Sequence, residues 1–297
     1  MEINVCFASD DNYSQHLAVA IASTLLNTAK DDFINCFIID DGISNENKAK
    51  IAEISKFAPC RITYVKINPE DFKGCYLPEG VHFTMATFYR LKAPSLFPDI
   101  DKIIYLDSDM IIQGSLATLF DKDLADYYVA GARDIFALDE NSIYINAGMS
   151  MFNLAKMRQD NVEDALLDYV RNNATSCPDQ DAINVVCKGK ILPVELKWNN
   201  QCMKVYQTTD PSVKTKKTEK TQILHFIGKC KPWQHKGHYE QKVIYYHYLN
   251  KTPFADFKTK YLQWIENIIT AAFCFYEEGD HYKYRIFTLK GKIKKRK

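Results

Sequence analysis

No C-x-x-C pair occurs among the nine cysteines, which form an odd set, so neither a zinc ribbon nor a complete disulfide framework is implied. Several sit in apolar, strand-like runs and read as core residues. No apolar run approaches the length of a membrane span, and Met1-Glu2-Ile3-Asn4 opens the chain without a cationic stretch leading into an apolar one. The expectation is a cytoplasmic, reduced protein. Internal repeats are missing, and net charge is almost missing too, at +1 over 297 residues. That balance hides an asymmetry. Lys283, Arg285, Lys290, Lys292, Lys294, Lys295, Arg296 and Lys297 put eight cations and no acid into 283–297, leaving −7 on the rest. With 46% hydrophobic and 25% charged residues, disorder is excluded, and the length allows one large core or one core plus an appendage.

What is present is an alternation of β-branched and aromatic apolar runs with longer segments of helical period, the mark of α/β layering. Ile3–Ala8 reads as a buried strand, Ser14–Ala29 as a helix, and Cys36–Ile39 as a second strand. Asn45–Phe57 reads as a helix with Ser44 as its cap, Ile62–Val65 as a strand, Thr84–Ala93 as a helix, and Lys102–Leu106 as another strand. Asp10-Asp11, Asp40-Asp41 and Asp107-Ser108-Asp109 all follow strand ends, where open parallel sheets bind ligands. Strands are further expected at Tyr127–Ala132 and Ser150–Asn153, with helices near 162–173 and 180–188 and a solvated loop over Lys204–Thr221. After Pro253, the apolar residues of Tyr261–Tyr276 follow helical spacing ahead of the basic tail. A domain change near residue 250 separates a body, 1–250, from a small helical, basic extension, 251–297.

Two motifs carry chemistry. In Tyr105-Leu106-Asp107-Ser108-Asp109, residues two apart on an extended strand end present both carboxylates to one side, with Ser108 opposite. Such a pair suits a hard divalent cation that neutralises a diphosphate leaving group, although an Asp-x-Asp at a strand end also serves as a turn or helix cap. The block His225-Phe226-Ile227-Gly228-Lys229-Cys230-Lys231-Pro232-Trp233 follows the short apolar strand Gln222–Leu224. A neutral imidazole favours Mn²⁺ over Mg²⁺, Gly228 permits close backbone approach to a phosphate, and Lys231 supplies a cation for the leaving group. A buried structural histidine and a surface lysine are the alternative, which the co-occurrence with Asp107 and Asp109 disfavours.

With these motifs the chain resembles glycosyltransferase family 8, and within it the bacterial lipooligosaccharide galactosyltransferases and lipopolysaccharide glucosyltransferases, with the eukaryotic glycogenins more distant. The matching stretches are Phe7–Tyr13, Tyr89–Lys92, Tyr105–Asp109, Tyr144–Gly148, Pro178–Asp181, Lys197–Asn199 and His225–Trp233, collinear with the family's order. The resemblance implies a GT-A fold, a Rossmann-like mixed sheet flanked by helices, and transfer of glucose or galactose from a UDP-sugar. It also implies a uridine site at Ala8, Asp10, Asn12 and Tyr13, where an aromatic face and an acceptor discriminate uracil from cytosine. The donor sugar and diphosphate would meet Arg90, Asp107, Ser108, Asn146, Ala147, Gly148, Asp179, Gln180, Gly228 and Lys231. Asp107, Asp109 and His225 would hold Mn²⁺ or Mg²⁺, and His82, Thr87 and Asp134 would face the acceptor. Bland alternatives stand beside several of these: Tyr13 as helix-start packing, Asp10 or Asp179 as a helix cap, Arg90 as a helix-surface charge, Asn146-Ala147-Gly148 as a turn.

Retention by double displacement needs a carboxylate nucleophile, and the family's pattern puts Gln180 at that place. A carboxamide is a poor nucleophile, so front-face displacement is favoured, with Asp179 and Asp181 as alternative nucleophiles and Lys231 acting on the leaving group. Eleven residues separate Asp134 from Asn146, where the lactose-directed galactosyltransferases carry a longer insertion, so the glycan or glycolipid acceptor stays open. The basic tail suits peripheral docking on the anionic inner face of a membrane. No nucleic-acid module accompanies it. An inactive UDP-sugar-binding scaffold and a metal-dependent nucleotide-sugar hydrolase remain as alternatives that share the donor residues.

Overall fold

The computed structural model describes residues 1–78, 84–137, 143–201, 220–228, 231–234 and 241–257, with the backbone alone of 239–240, 273–278, 281–286 and 289–294. The first unit comprises β1 (Glu2–Asp10), α1 (Ser14–Leu26), β2 (Phe33–Asp41), α2 (Asn45–Ala52) and β3 (Cys60–Lys66), with β2 parallel to both β1 and β3. Alternation along β1 sends Ile3, Val5 and Phe7 into the core with Leu17, Ile21 and Leu25 of α1, and Cys6 into the core on the opposite face with Phe88 and Tyr105. Burying each of the larger apolar side chains contributes about 1.5–3 kcal/mol.

α1 is apolar around nearly its whole circumference, and His16–Leu25 are all buried. It stops at Leu26 rather than Ala29 because the Asn27 amide turns back on Ser23 O (2.9 Å) and also reaches Ile112 O (3.0 Å). Ser44 caps α2 as expected, its Oγ accepting from Asn47 N at 3.2 Å, but the helix tightens into a 3₁₀ turn over Glu53–Phe57. Thr84–Ala93, expected as an α-helix, is instead a 3₁₀ turn over Met85–Lys92, followed by α3 (Ala93–Leu96). Pro94 has no N–H to continue the preceding turn and is suited to the first turn of a new one.

β4 (Lys102–Leu106), β5 (Met110–Ile112), α4 (Ala117–Phe120), β6 (Val129–Arg133), β7 (Ile145–Asn153), α5 (Leu154–Gln159), α6 (Val162–Asn172), α7 (Pro178–Val186) and β8 (Ile191–Val194) follow. The main sheet has the order β3-β2-β1-β4-β7-β6-β8, mixed because β7 runs antiparallel to β4 and β6. β7 starts five residues before the expected Ser150, so Asn146, Ala147 and Gly148 lie in a strand and not in a turn. Low strand propensity at those three residues hides the strand from pattern reading. β9 (Asn200–Gln201) and β10 (Ile223–His225) join β5 in a second sheet of order β5-β10-β9.

α8 (Tyr239–Leu249) packs on α1, and Thr252 and Phe254 beyond it are buried. β11 (Phe273–Glu278), β12 (His281–Ile286) and β13 (Leu289–Lys294) form an antiparallel three-stranded sheet. The helix expected over Tyr261–Tyr276 is therefore strand from Phe273 onward, and 258–272 lie outside the described residues, as does most of the Lys204–Thr221 stretch. The aromatic and β-branched run through Phe273, Phe275, Tyr276, Tyr282, Tyr284 and Ile286 favours the strands. Among the described residues no helix is long and apolar enough to cross a membrane.

His16 sits at the contact of α1 and α8, stacked on Trp233 with centroids 3.6 Å apart. Gln15 Nε2 donates to Asn12 O and stands 3.1 Å from His16 Nε2, so Nε2 is the acceptor and Nδ1–H donates to Tyr245 Oη at 2.7 Å. Burial pushes the imidazole pKa down to about 3, with Asp109 opposing and Lys231 adding to the fall. The unfolded chain therefore binds this proton first. The stability from neutral His16 is fully present above its ordinary value of 6.5 and is lost as pH falls from there toward 3. Within that window this group costs about 1.4 kcal/mol per pH unit, so urea titrations from pH 7 to 4 should show a shallower acid loss for His16→Gln than for the wild type.

Candidate active site

β4 ends at Leu106 and β5 begins at Met110, so the intervening Asp107-Ser108-Asp109 crosses from the main sheet to the second one. Asp107 N donates to Gly148 O at 2.8 Å, and Ser108 Oγ donates to Ala8 O at 2.8 Å, which pins the link to β7 on one side and β1 on the other. Antiparallel pairing of β5 with β10 sets His225 opposite Met110, and Phe226 N donates to Asp109 O at 3.1 Å. This pairing brings the imidazole to the carboxylates. His225 Nε2 is 3.3 Å from Asp109 Oδ1 and 3.7 Å from Asp107 Oδ2, and one ligand atom from each residue falls within 4.8 Å of the others.

The donor set fits a divalent ion. Asp109 Oδ1 is buried and accepts no hydrogen bond of acceptable geometry, an unmet demand that a cation would satisfy. A Cβ at Gly148 would meet His225 Cε1 at 2.3 Å and Asp107 Oδ2 at 2.7 Å, so glycine is required for the three groups to converge. One nitrogen and two carboxylates match Mn²⁺ or Mg²⁺ chemistry, with the imidazole tilting the set toward the former.

Cations already surround the pair. Arg90 is buried; its Nη2 donates to Asp107 Oδ1 at 2.7 Å, Nη1 to Ala147 O at 2.7 Å, and Nε lies 3.2 Å from Asp179 Oδ2. Burial disfavours its charge, and Asp107, Tyr105 and Asp179 more than restore it. Lys231 Nζ contacts Asp109 Oδ2 and Phe226 O. Burial raises the pKa of the Asp107 carboxyl; Arg90 and His225 oppose the rise, while the charges of Asp109 and Asp179 add to it. Burial acts the same way on Asp109, yet Lys231 and His225 hold its carboxyl well below the usual range. The two acids are thus differentiated by their partners.

A cavity of about 260 Å³ lies against this cluster. Its lining joins Asp107, Asp109, His225, Ile227, Gly228 and Lys231 with Thr87, Arg90, Asp134, Asn146, Ala147, Gly148, Asp179 and Gln180. Gly228 has φ +70, the left-handed region that favours glycine. Both ends of Gln180 are engaged: Oε1 accepts from Asn146 Nδ2 and Ala147 N, each at 3.1 Å, and Nε2 donates to Asp134 Oδ2 at 3.2 Å. Asp179 is in the first turn of α7, whose cap is Cys177, so its carboxylate serves Arg90 and not the helix end. Asp181, one residue past Gln180, does not line the cavity and accepts from the Tyr144 hydroxyl.

Ala8, Asp10, Asn12 and Tyr13 form an adjoining corner at the end of β1. Asp10 Oδ1 caps the following turn by accepting from Tyr13 N at 2.9 Å. Tyr13 is held edge-on by His16 (4.7 Å) and Trp233 (5.9 Å), and burial with the charges of Asp109 and Asp107 raises its pKa. His82 lies outside the described residues. The cavity also includes Phe136 and Cys177, and Asn199 is buried behind it, in contact with His225 at 3.0 Å. Sequence reasoning assigned none of these three a role; the signal available for Asn199 was its place beside Trp198 in a matched stretch.

A family model described as glycosyl transferase family 8 matches residues 4–237. A putative glycosyltransferase of Haemophilus influenzae is 30% identical over 79% of this chain and 74% of its own length. A lipopolysaccharide 1,2-glucosyltransferase of Escherichia coli is 28% identical over 86% of this chain and 79% of its own. Among solved structures, galactosyltransferase LgtC in complex with donor and acceptor sugar analogs superposes with a TM-score of 0.71 at 26% identity, covering 88% of this chain and 99% of LgtC. The mixed sheet, with the Asp-Ser-Asp link at the end of β4, is the GT-A architecture of that enzyme, and the chain belongs to glycosyltransferase family 8.

Proposed function

We propose that this protein is a retaining hexosyltransferase that moves glucose or galactose from a UDP-sugar to a glycan or glycolipid acceptor in cell-surface glycan synthesis of the lipopolysaccharide or lipooligosaccharide type. The observation that carries this reading is one cavity lined by both chemistries. Asp107, Asp109, His225 and Lys231 suit a metal-bound diphosphate leaving group, and Arg90, Asp134, Asn146, Asp179 and Gln180 suit sugar hydroxyls.

Mn²⁺, or Mg²⁺, held by Asp107, Asp109 and His225 would neutralise the diphosphate and lower the cost of its departure. The protein's own residues supply the rest. Ala8, Asp10, Asn12 and Tyr13 would hold the uridine, with Ser108 tying that corner to the Asp-Ser-Asp link. Lys231, now on Asp109 and Phe226 O, is within the same cavity and can turn to a phosphate oxygen. Because Gln180 Oε1 already accepts two N–H bonds, its carbonyl is a weaker nucleophile still, and Asp179 is committed to Arg90. Front-face displacement follows: the anomeric C–O bond to the diphosphate breaks, the acceptor oxygen bonds to the same face, and a diphosphate oxygen takes the acceptor's proton. Thr87, Asp134 and His82 are assigned to the acceptor side.

Thr252, Phe254 and Phe257 pack with the catalytic body, past the division expected near residue 250, and we assign the extension that follows to an anionic, inner-leaflet membrane surface, with the protein otherwise cytoplasmic. Its register sets Lys283 between Tyr276 and Lys292, and Arg285 between Cys274 and Lys290, so cations recur at paired positions.

Calorimetry with UDP-glucose and UDP-galactose, each with Mn²⁺ and with chelator, tests the donor reading; absence of binding to either overturns it. Donor turnover that is independent of a glycan acceptor would identify a hydrolase, and binding without turnover a scaffold. Asp107→Ala and Asp109→Ala should abolish metal-dependent turnover, and Lys231→Ala should lower kcat by about 10²–10³-fold while weakening donor binding less. Gly148→Ala should cost about 1–3 kcal/mol in urea unfolding and weaken Mn²⁺ binding, since the new Cβ must displace His225 and Asp107. Deleting 283–297 should preserve turnover on a soluble acceptor and reduce sedimentation with anionic vesicles, an effect that shrinks with added salt.

A further inference from the structure

We infer that Asn199 is a positioning residue that fixes the tautomer of His225 and so directs the Nε2 lone pair at the metal position; the inference rests on reading Asp107, Asp109 and His225 as the metal ligands. Asn199 is fully buried between β7 and β10. Its backbone is fixed by Asn199 N donating to Leu196 O at 3.1 Å, and the adjoining Asn200–Gln201 pairs with Leu224–His225. The side chain spans Asn146 and His225, with Nδ2 to Asn146 Oδ1 at 2.9 Å and Oδ1 to His225 Nδ1 at 3.0 Å.

The direction of every hydrogen bond in this chain is determined from its far end. Ala147 N donates at 3.1 Å to Gln180 Oε1, so that atom is oxygen. Asn146 presents its other end to Gln180 Oε1 (3.1 Å) and to Asp134 Oδ2 (2.9 Å), two acceptors, so that end is the NH₂. Asn146 Oδ1 then faces Asn199, and Gly148 N confirms it as an acceptor at 3.2 Å. Asn199 must offer its own NH₂ there, which leaves Oδ1 for His225. An amide oxygen only accepts, so Nδ1 carries a proton, and Nε2 is the ring nitrogen that faces the carboxylates, 3.3 Å from Asp109 and 3.7 Å from Asp107. The opposite neutral tautomer would set two lone pairs against each other at Asn199 and aim an N–H at the place where a cation must bind. The same relay reaches Gln180 and Asp134, so the ligand and the residues suited to sugar hydroxyls are oriented by one network.

The test uses full-length protein labelled with ¹⁵N at histidine, with long-range ¹H–¹⁵N spectra in chelator assigned against His225→Gln, and Mn²⁺ titration calorimetry beside it. In the wild type, His225 Nδ1 should carry a proton; an Nδ1 without one overturns the inference without any variant at Asn199. Asn199→Leu should lose the single tautomer and weaken Mn²⁺ binding by about 10–100-fold. Asn199→Asp keeps an acceptor for Nδ1–H but sets a second oxygen against Asn146 Oδ1, so it should retain the Nδ1–H form while losing part of the affinity. Wild-type tautomer and affinity in Asn199→Leu, or loss of the Nδ1–H form in Asn199→Asp, would overturn it. If the wild type binds no Mn²⁺ while His225 still shows the Nδ1–H form, the metal reading fails and the tautomer assignment stands apart from it.

Discussion

Two carboxylates forced to converge at the junction of two sheets set the terms for the rest of the site. Asp107 and Asp109 follow β4 and precede β5, so their backbone positions are dictated by strand pairing and not by their charges. Like unit charges about 4 Å apart repel by roughly 4 kcal/mol at an effective dielectric of 20, and a buried charge left uncompensated costs more. The chain answers from two distant places, Arg90 on Asp107 and Lys231 on Asp109, with His225 Nε2 set beside both acids. A divalent ion would complete the compensation at Asp109 Oδ1, the one oxygen of the pair that is buried with no hydrogen bond.

Beside these acids the cavity wall is built from the amides of Asn146 and Gln180, each engaged at both ends, and from Asp134 and Asp179. Gln180, Asn146 and Asn199 pass hydrogen bonds from Asp134 to His225 with no polarity left ambiguous. Such a wall resists rearrangement, because turning one amide leaves several buried donors or acceptors unmet. Preorganisation of this kind suits transfer chemistry, where dipoles must already stand where charge develops. The aromatic group of His16, Trp233 and Tyr13 extends the rigidity to the corner beside β1, linking the loop that carries Lys231 to the residues assigned to the nucleotide base.

Much of this was legible in the linear chain. The acid pairs at 10–11 and 40–41 and the Asp-Ser-Asp link do follow strands that run in one direction, because buried parallel strands announce themselves as short apolar runs and the polar residues after them mark the binding edge. Short-range pattern failed where partners were remote. Residues 145–149 join β7 only because β4 and β6 flank them. Arg90, for which local pattern left a helix-surface charge open beside the donor-pocket assignment, is buried because Asp107 and Asp179 are brought around it. Phe273–Tyr276, spaced for a helix, pairs as a strand with Lys283–Ile286.

The sequence by itself determined the layered class, the acidic strand ends, the chemical identity of the residues assigned to the leaving group and the collinear motifs that mark the family, because these depend on local periodicity and on residue type. Only the tertiary structure decided that His225 meets Asp107 and Asp109 through the β5–β10 pairing, that Gly148 leaves the space they share, and that Asn199 faces the imidazole. Each of those relations joins segments far apart in the chain at contact distance, and the geometry of such a contact belongs to the packed sheets and is written in neither segment alone.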